Sequence, residues 1–170
     1  MLRIITLVFA CLMSASAQNS NLQLTITTEQ VSPGIEGMPR QLTVIAVTIS
    51  NPGDSPQSLN VGTYYSSADH WDVTANLMNR DGKIMPLSRL PGHVKITGNV
   101  GPVVLEIPAH ASVKALLDAR NFELVIGNGS TNLAGIIGAS GDQLQIVVHC
   151  GVYPNTNSWK GDLVSGWLKI

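Results

Sequence analysis

Leu42-Thr43-Val44-Ile45-Ala46-Val47-Thr48-Ile49, closed by Asn51-Pro52-Gly53-Asp54, is the stretch on which the fold turns. β-Branched residues stand at both parities of the run, which suits a strand covered on both faces, and the Asn-Pro-Gly-Asp that follows supplies a turn. This is the pattern of a central strand. Upstream, Leu22, Leu24 and Ile26 alternate with Gln23, Thr25 and Thr27, the period-2 signature of a strand with one buried and one wet face. A Pro- and Gly-rich segment, Val31 to Pro39, separates the two.

Downstream the same grammar continues. Leu59 to Tyr65 and Trp71 to Met78 read as strands, and Asn79-Arg80-Asp81-Gly82-Lys83 joins the second to Ile84-Met85-Pro86-Leu87 through an Asp-Gly hairpin signal. His93 to Thr97, Val103 to Ile107, Ala111 to Leu117, Gln143 to Val152 and Leu163 to Ile170 are also strand-like. Turns at Pro91-Gly92, Gly101-Pro102, Pro108-Ala109 and Gly161-Asp162 punctuate them. Ser112 to Phe122 has a competing helical reading, because Ala115, Leu116, Leu117 and Ala119 are good helix formers; Val113 and the preceding proline weigh against it. Gly127 to Gly141 holds five glycines among Ser, Thr and Asn and reads as a long loop or a short helical turn near Leu133 to Ile137. About seven to nine strands with almost no helix predict an all-β, antiparallel β-sandwich.

The N-terminus carries an address. Arg3 precedes an apolar run, Ile4 to Met13, and Ala15-Ser16-Ala17 forms an A-x-A cleavage site, so residues 1–17 read as a secretory signal peptide. The run is far shorter than the roughly 20 residues that span a bilayer. Residues 18–170 are then a single exported domain, periplasmic or extracellular, large enough to bury a core. A rival reading takes Val8-Phe9-Ala10-Cys11 as a lipoprotein signal, which would tether the protein to the membrane through Cys11. Bulky Phe9 and an apolar run shorter than the usual about 7 to 15 residues weigh against it.

Cleavage after Ala17 leaves nine Lys and Arg against eleven Asp and Glu, with no basic patch for nucleic acid or anionic lipid. Only 12% of the residues are charged, so solubility rests on hydroxyls and amides, as in many exported β-proteins. Cleavage also discards Cys11 and leaves Cys150 as the single thiol, which excludes an intrachain disulfide.

Several landmarks together resemble immunoglobulin-like domains of exported bacterial proteins. They are Leu42 to Ile49 with Asn51-Pro52-Gly53-Asp54-Ser55-Pro56, Ile107-Pro108-Ala109-His110-Ala111-Ser112-Val113, Gly141-Asp142-Gln143-Leu144-Gln145-Ile146, and Trp159-Lys160-Gly161-Asp162-Leu163-Val164-Ser165. The resemblance implies an immunoglobulin-like sandwich that binds or scaffolds another macromolecule, a protein or a glycan of the envelope or exterior, without catalysis. The same order, with Trp71-Asp72-Val73 and Asp81-Gly82-Lys83, is similar to the sandwich of BsuPI-type proteinase inhibitors, which implies loops that block a protease. That family is cytoplasmic, and the signal peptide departs from it. Antibody-type domains bridge their sheets with a cysteine pair, which this chain cannot form.

The chemistry-bearing residues are scattered. His149 and Cys150 are adjacent, but neighbours on a strand face opposite ways, so Leu144, Ile146, Val148, Cys150 and Val152 share the core face while Gln145, Val147 and His149 share the other. Cys150 is expected to be a buried, inert thiol. Asp69-His70-Trp71-Asp72 is the densest polar cluster, with Trp71 expected in the core. His70, His93, His110 and His149 show no ligand spacing, and neither metal nor cofactor is expected. A G-x-S-x-G elbow is absent, and no two of the eleven acids stand out as a glycosidase pair, which leaves a small exported hydrolase as the third and least supported expectation.

Tyr64-Tyr65 and Tyr153-Pro154-Asn155-Thr156-Asn157-Ser158-Trp159 have the Tyr, Asn, Ser and Trp composition of adaptable recognition loops. Tyr64, Tyr65, Tyr153, Asn155, Asn157 and Trp159 are accordingly the candidate binding residues. The competing reading of Trp159 is a plug at the end of the core.

Overall fold

Leu42–Asn51 takes the place its composition requires, in the middle of a sheet. The computed structural model of the chain describes residues 21–32, 41–65, 68–89, 100–138, 141–151 and 158–170. Its strands are β1 (Gln23–Val31), β2 (Leu42–Asn51), β3 (Gln57–Tyr65), β4 (Ala68–Trp71), β5 (Val73–Met78), β6 (Ile84–Arg89), β7 (Gly101–Ile107), β8 (Ala111–Asp118), β9 (Phe122–Ile126), β10 (Gly129–Asn132), β11 (Gln143–Cys150), β12 (Gly161–Val164) and β13 (Leu168–Lys169). A 3-10 turn, Ala119–Asn121, and one helical turn, α1 (Leu133–Ile136), complete the elements. The architecture is the expected all-β sandwich, with every strand pairing antiparallel.

One sheet has the order β1-β2-β8, a second β4-β3-β7, and the third β10-β9-β6-β5-β11-β12, with β13 also on β11. In the first, Leu24, Ile49 and Val113 form one cross-strand layer and Ile26, Val47 and Ala115 the next. These layers share a single core with Val73, Ala75, Leu77, Leu87, Leu144, Ile146 and Val148 of the large sheet and Leu59, Val61, Val103 and Ile107 of the small one. Val44 and Ala46, on the opposite face of β2, are buried as well, so the strand is covered on both sides as its β-branched run requires.

The strands are more numerous than the seven to nine expected, because polar groups redirect the chain within two hydrophobic runs and because Gly129–Asn132, in the stretch expected to be a long loop, pairs with Phe122–Ile126 as a hairpin. Trp71 to Met78 splits at Asp72, whose N–H donates to the Val61 carbonyl at 2.7 Å while its carbonyl accepts from His149 N–H at 2.9 Å. The chain there leaves the small sheet for the large one. Leu163 to Ile170 splits at Ser165, whose Oγ accepts from the Ile146 N–H at 2.9 Å in place of a ladder carbonyl. In Ser112 to Phe122, pairing of Ala111 to Asp118 with β2 wins over helix propensity. The short helical turn at Leu133–Ile136 is present, with the Asn132 side chain accepting from Gly135 N–H at 3.0 Å. His93 to Thr97 and Val152 lie outside the described residues.

Two crossings between sheets meet at Asn51. The chain passes from β2 to β3 after this residue, and from β7 to β8 through Pro108-Ala109-His110, where the Ala111 N–H donates to the Pro108 carbonyl and His110 adopts a φ of 57°. The Asn51 side chain is 2% exposed. Its Nδ2 donates to the carbonyls of Ser55 at 2.8 Å and of Ile107 and Pro108, each at 3.1 Å, and its Oδ1 accepts from Gly53 N–H at 3.2 Å. One amide thus satisfies both turns.

Cys150 belongs to the core face with Leu144, Ile146 and Val148, as its parity predicts, and is 9% exposed. Burial, then the nearby Asp162 and Asp72 carboxylates, push its thiol up to about 12. Native protein at pH 8 is therefore expected to react with a thiol reagent only at the rate at which it unfolds; modification before unfolding would contradict this burial. Asn51→Ala, which strands buried carbonyls, is expected to lower the unfolding free energy by about 2–3 kcal/mol in a urea titration. A loss under 0.5 kcal/mol would show the clamp to be dispensable.

Candidate functional site

The sequence Ala111-Ser112-Val113-Lys114-Ala115-Leu116-Leu117-Asp118 alternates small or apolar residues with exposed ones and pairs with β2 from Asn51 to Val44 without a register shift. Its other edge is paired with no strand among the described residues. Along that edge runs a groove of about 550 Å³, lined by all six residues from Val113 to Asp118 in succession. Residues of both parities line a surface together only where it follows the edge of a strand. The far wall is made by His70 and Trp71 of β4, Leu105 of β7, Arg89 at the end of β6, and Asn121 and Phe122 beside it.

Each wall has a local cause. Trp71 and His70 are brought onto β3 by Gly62, where a Cβ would come within 2.0 Å of the His70 carbonyl oxygen and 2.8 Å of the Trp71 Cα. Only glycine admits that approach. A bulge between Asn60 and Gly62, with the Asn60 Oδ1 accepting from Gly62 N–H at 3.3 Å, offsets β3 so that Gly62 faces both Trp71 and Val103. Trp71 is 7% exposed and joins this wall of the groove to the core. The Arg89 guanidinium donates through Nη1 to the Trp71 carbonyl and is thereby held at the wall.

The charges at the groove are mostly matched. Lys114 Nζ lies 2.6 Å from Glu29 Oε1 of β1, across the outer face of β2. Arg120 Nη2 lies 2.6 Å from Asp118 Oδ2, and Asp118 Oδ1 also accepts from the Arg120 backbone N–H at 2.9 Å, which caps the 3-10 turn. Burial pushes the Asp118 carboxyl up, but hydrogen bonds from the Arg120 side chain and backbone, with its charge, outweigh this and hold it below the ordinary carboxylate value. Arg89 has no carboxylate partner among the described residues.

The sequence-predicted binding residues do not form this groove. Tyr64 is 40% exposed on β3, while Tyr65 is placed by its backbone in the same strand. Trp159 is half-buried against the core; its N–H donates to Ser58 O at 2.8 Å and its ring packs on Gly161, where a Cβ would fall 2.9 Å from the indole. Trp159 bridges to Leu59, five residues from Tyr64, which separates the two by about 16 Å along an extended strand. Tyr153, Asn155 and Asn157 lie outside the described residues. The nearest signal in the sequence was the polar cluster around His70 and Trp71; Arg89 and Leu116 carry no local mark.

The fold also aligns three residues that spacing does not reveal. Thr74 Oγ1 lies 3.1 Å from His149 Nε2, and His149 Nδ1 lies 2.8 Å from Asp162 Oδ1, across β5, β11 and β12. With the carboxylate accepting, Nδ1 carries the proton and Nε2 receives the Thr74 hydroxyl, the order of an acid–base relay. Its setting is an exposed sheet surface away from the groove, and adjoining backbone groups serve the β5–β11 and β11–β12 ladders. An enclosed pocket with free donors, on which acyl transfer depends, is not built around it among the described residues. The three side chains there act as a polar tie across three strands. No cluster of three or more His, Cys, Asp or Glu suited to a metal occurs among the described residues.

Asp118 gives the groove a pH signature. Its carboxyl is lower in the folded than in the unfolded chain, so its contribution to stability is complete above about pH 4 and is lost as pH falls through the folded value. The stability difference between the wild type and Asp118→Asn is expected to stay constant from pH 7 to 5 and shrink below pH 4; a difference that persists at pH 2 would refute the pairing. Comparison of the chain with protein-family models, with characterised proteins and with solved structures gives no match.

Proposed function

We propose that the protein is an exported, non-catalytic binding or scaffolding domain of immunoglobulin-like build, and that it recognises another macromolecule of the envelope or exterior through the groove along β8. The observation that carries this reading is the run of six consecutive strand residues, Val113 to Asp118, lining a cleft with an aromatic and cationic far wall. Its volume of about 550 Å³ falls in the usual range of ligand clefts, about 300–1,000 Å³. Leu116, 52% exposed beside it, is the kind of unburied apolar residue that marks an interface.

Two strand orders support the immunoglobulin-like build. β1-β2-β8 follows the A-B-E neighbours of such sandwiches and β5-β11-β12 the C-F-G neighbours, while β4-β3-β7 is an addition to that plan. The signal-like N-terminus supports export, and with it a partner outside the cytoplasm.

The test is affinity capture from an envelope extract of the native source with three immobilised proteins: wild type, Leu116→Lys and Arg89→Gln. A species retained by the wild type and at least tenfold depleted on both variants is the expected result. Equal retention on all three would place recognition elsewhere on the domain.

A further inference from the structure

An unpaired strand edge offers backbone N–H and C=O groups, and natural proteins usually blunt such an edge with a lysine, a proline or a bulge. β8 has none of these defences in working position. It contains no proline, its register with β2 is unbroken, and its one lysine, Lys114, is drawn across β2 to Glu29, away from the free edge. Among the described residues the edge is left open, and in a groove rather than on a bare surface. What fits such a site chemically is another strand, because main-chain pairing supplies affinity and alternate side chains reach the two walls.

Charge then narrows the occupant. Lys114 and Asp118 are neutralised by Glu29 and Arg120, whereas Arg89, on the wall opposite the edge, has no carboxylate partner among the described residues. A guanidinium presented this way is suited to a carboxylate, which it can grip with two parallel hydrogen bonds. Leu116, exposed on the outer side, offers an apolar contact to a neighbouring ligand residue.

Resting on the reading of the groove as the recognition surface, we propose that its occupant is an extended peptide segment of a partner protein, which adds as a strand to the free edge of β8 and places a carboxylate on Arg89. The six groove-lining residues of β8 would pair with a segment of similar length, about 20 Å of extended chain.

The test uses the full chain and a displayed library of random linear ten-residue peptides. Enriched peptides are synthesised, and each backbone nitrogen is methylated in turn. The expected result is an Asp or Glu enriched at one position, with methylation costing tenfold or more at alternate residues and little between them. Arg89→Gln should abolish the preference for the acid, and Leu116→Lys should weaken binding at least tenfold. Binding that Leu116→Lys weakens but methylation affects without alternation would overturn strand addition and leave the groove reading standing. Binding insensitive to both protein variants would sink the groove reading itself. Failure to enrich any peptide, or a chain that sediments as a dimer dissolved by Leu116→Lys, would overturn the proposal in favour of a non-peptide ligand or a second copy.

Discussion

The buried amide of Asn51 is the joint on which the sandwich closes. β2 and β8 are neighbours in one sheet, and β3 and β7 are neighbours in another, so the chain changes sheets twice and at the same corner. Each change strips carbonyls of ladder partners, and a buried carbonyl without a donor is costly. Asn51 supplies a donor to Ser55, Ile107 and Pro108 at once and accepts from Gly53, so both crossings share one solution. The β2–β8 ladder begins beside it, at Asn51 and Ala111.

The groove is a consequence of that corner. β7 goes to β3 and β8 goes to β2, so the two strands joined by the Pro108-Ala109-His110 turn do not continue as a hairpin. Among the described residues β8 is paired on one side only, and the groove on its other side is lined by residues of the small and large sheets. Gly62 lets Trp71 and His70 close one wall, and Arg89, tied to the Trp71 carbonyl, closes another. The described walls of the cleft therefore owe their placement to contacts between residues far apart in the chain.

That distance explains what the sequence discloses. The β2 run, the Asp81-Gly82 hairpin and the core-facing Cys150 are legible because periodicity and turn chemistry act over a few residues. The breaks at Asp72 and Ser165 are not, since each depends on a donor or acceptor from another strand. Leu116 illustrates the limit at the site: in a run with Ala115 and Leu117 it looks like any strand residue, and only the tertiary structure puts it at the lining of a cleft. The Thr74–His149–Asp162 tie is equally invisible, because register alone joins its members. Tyr64 and Trp159 were legible as aromatic but not as separated, which required knowing that both lie along β3.

The one-sided attachment of β8 also bears on how the molecule assembles. Residues 44–51 meet residues 111–118 across most of the intervening chain, including the whole of β3 to β7. Closing a loop of that size is entropically slow compared with forming the β1–β2 or β5–β6 pairs. The β2–β8 ladder is thus expected to form after those local pairs, so the strand that lines the groove is set later in folding than the hairpins around it.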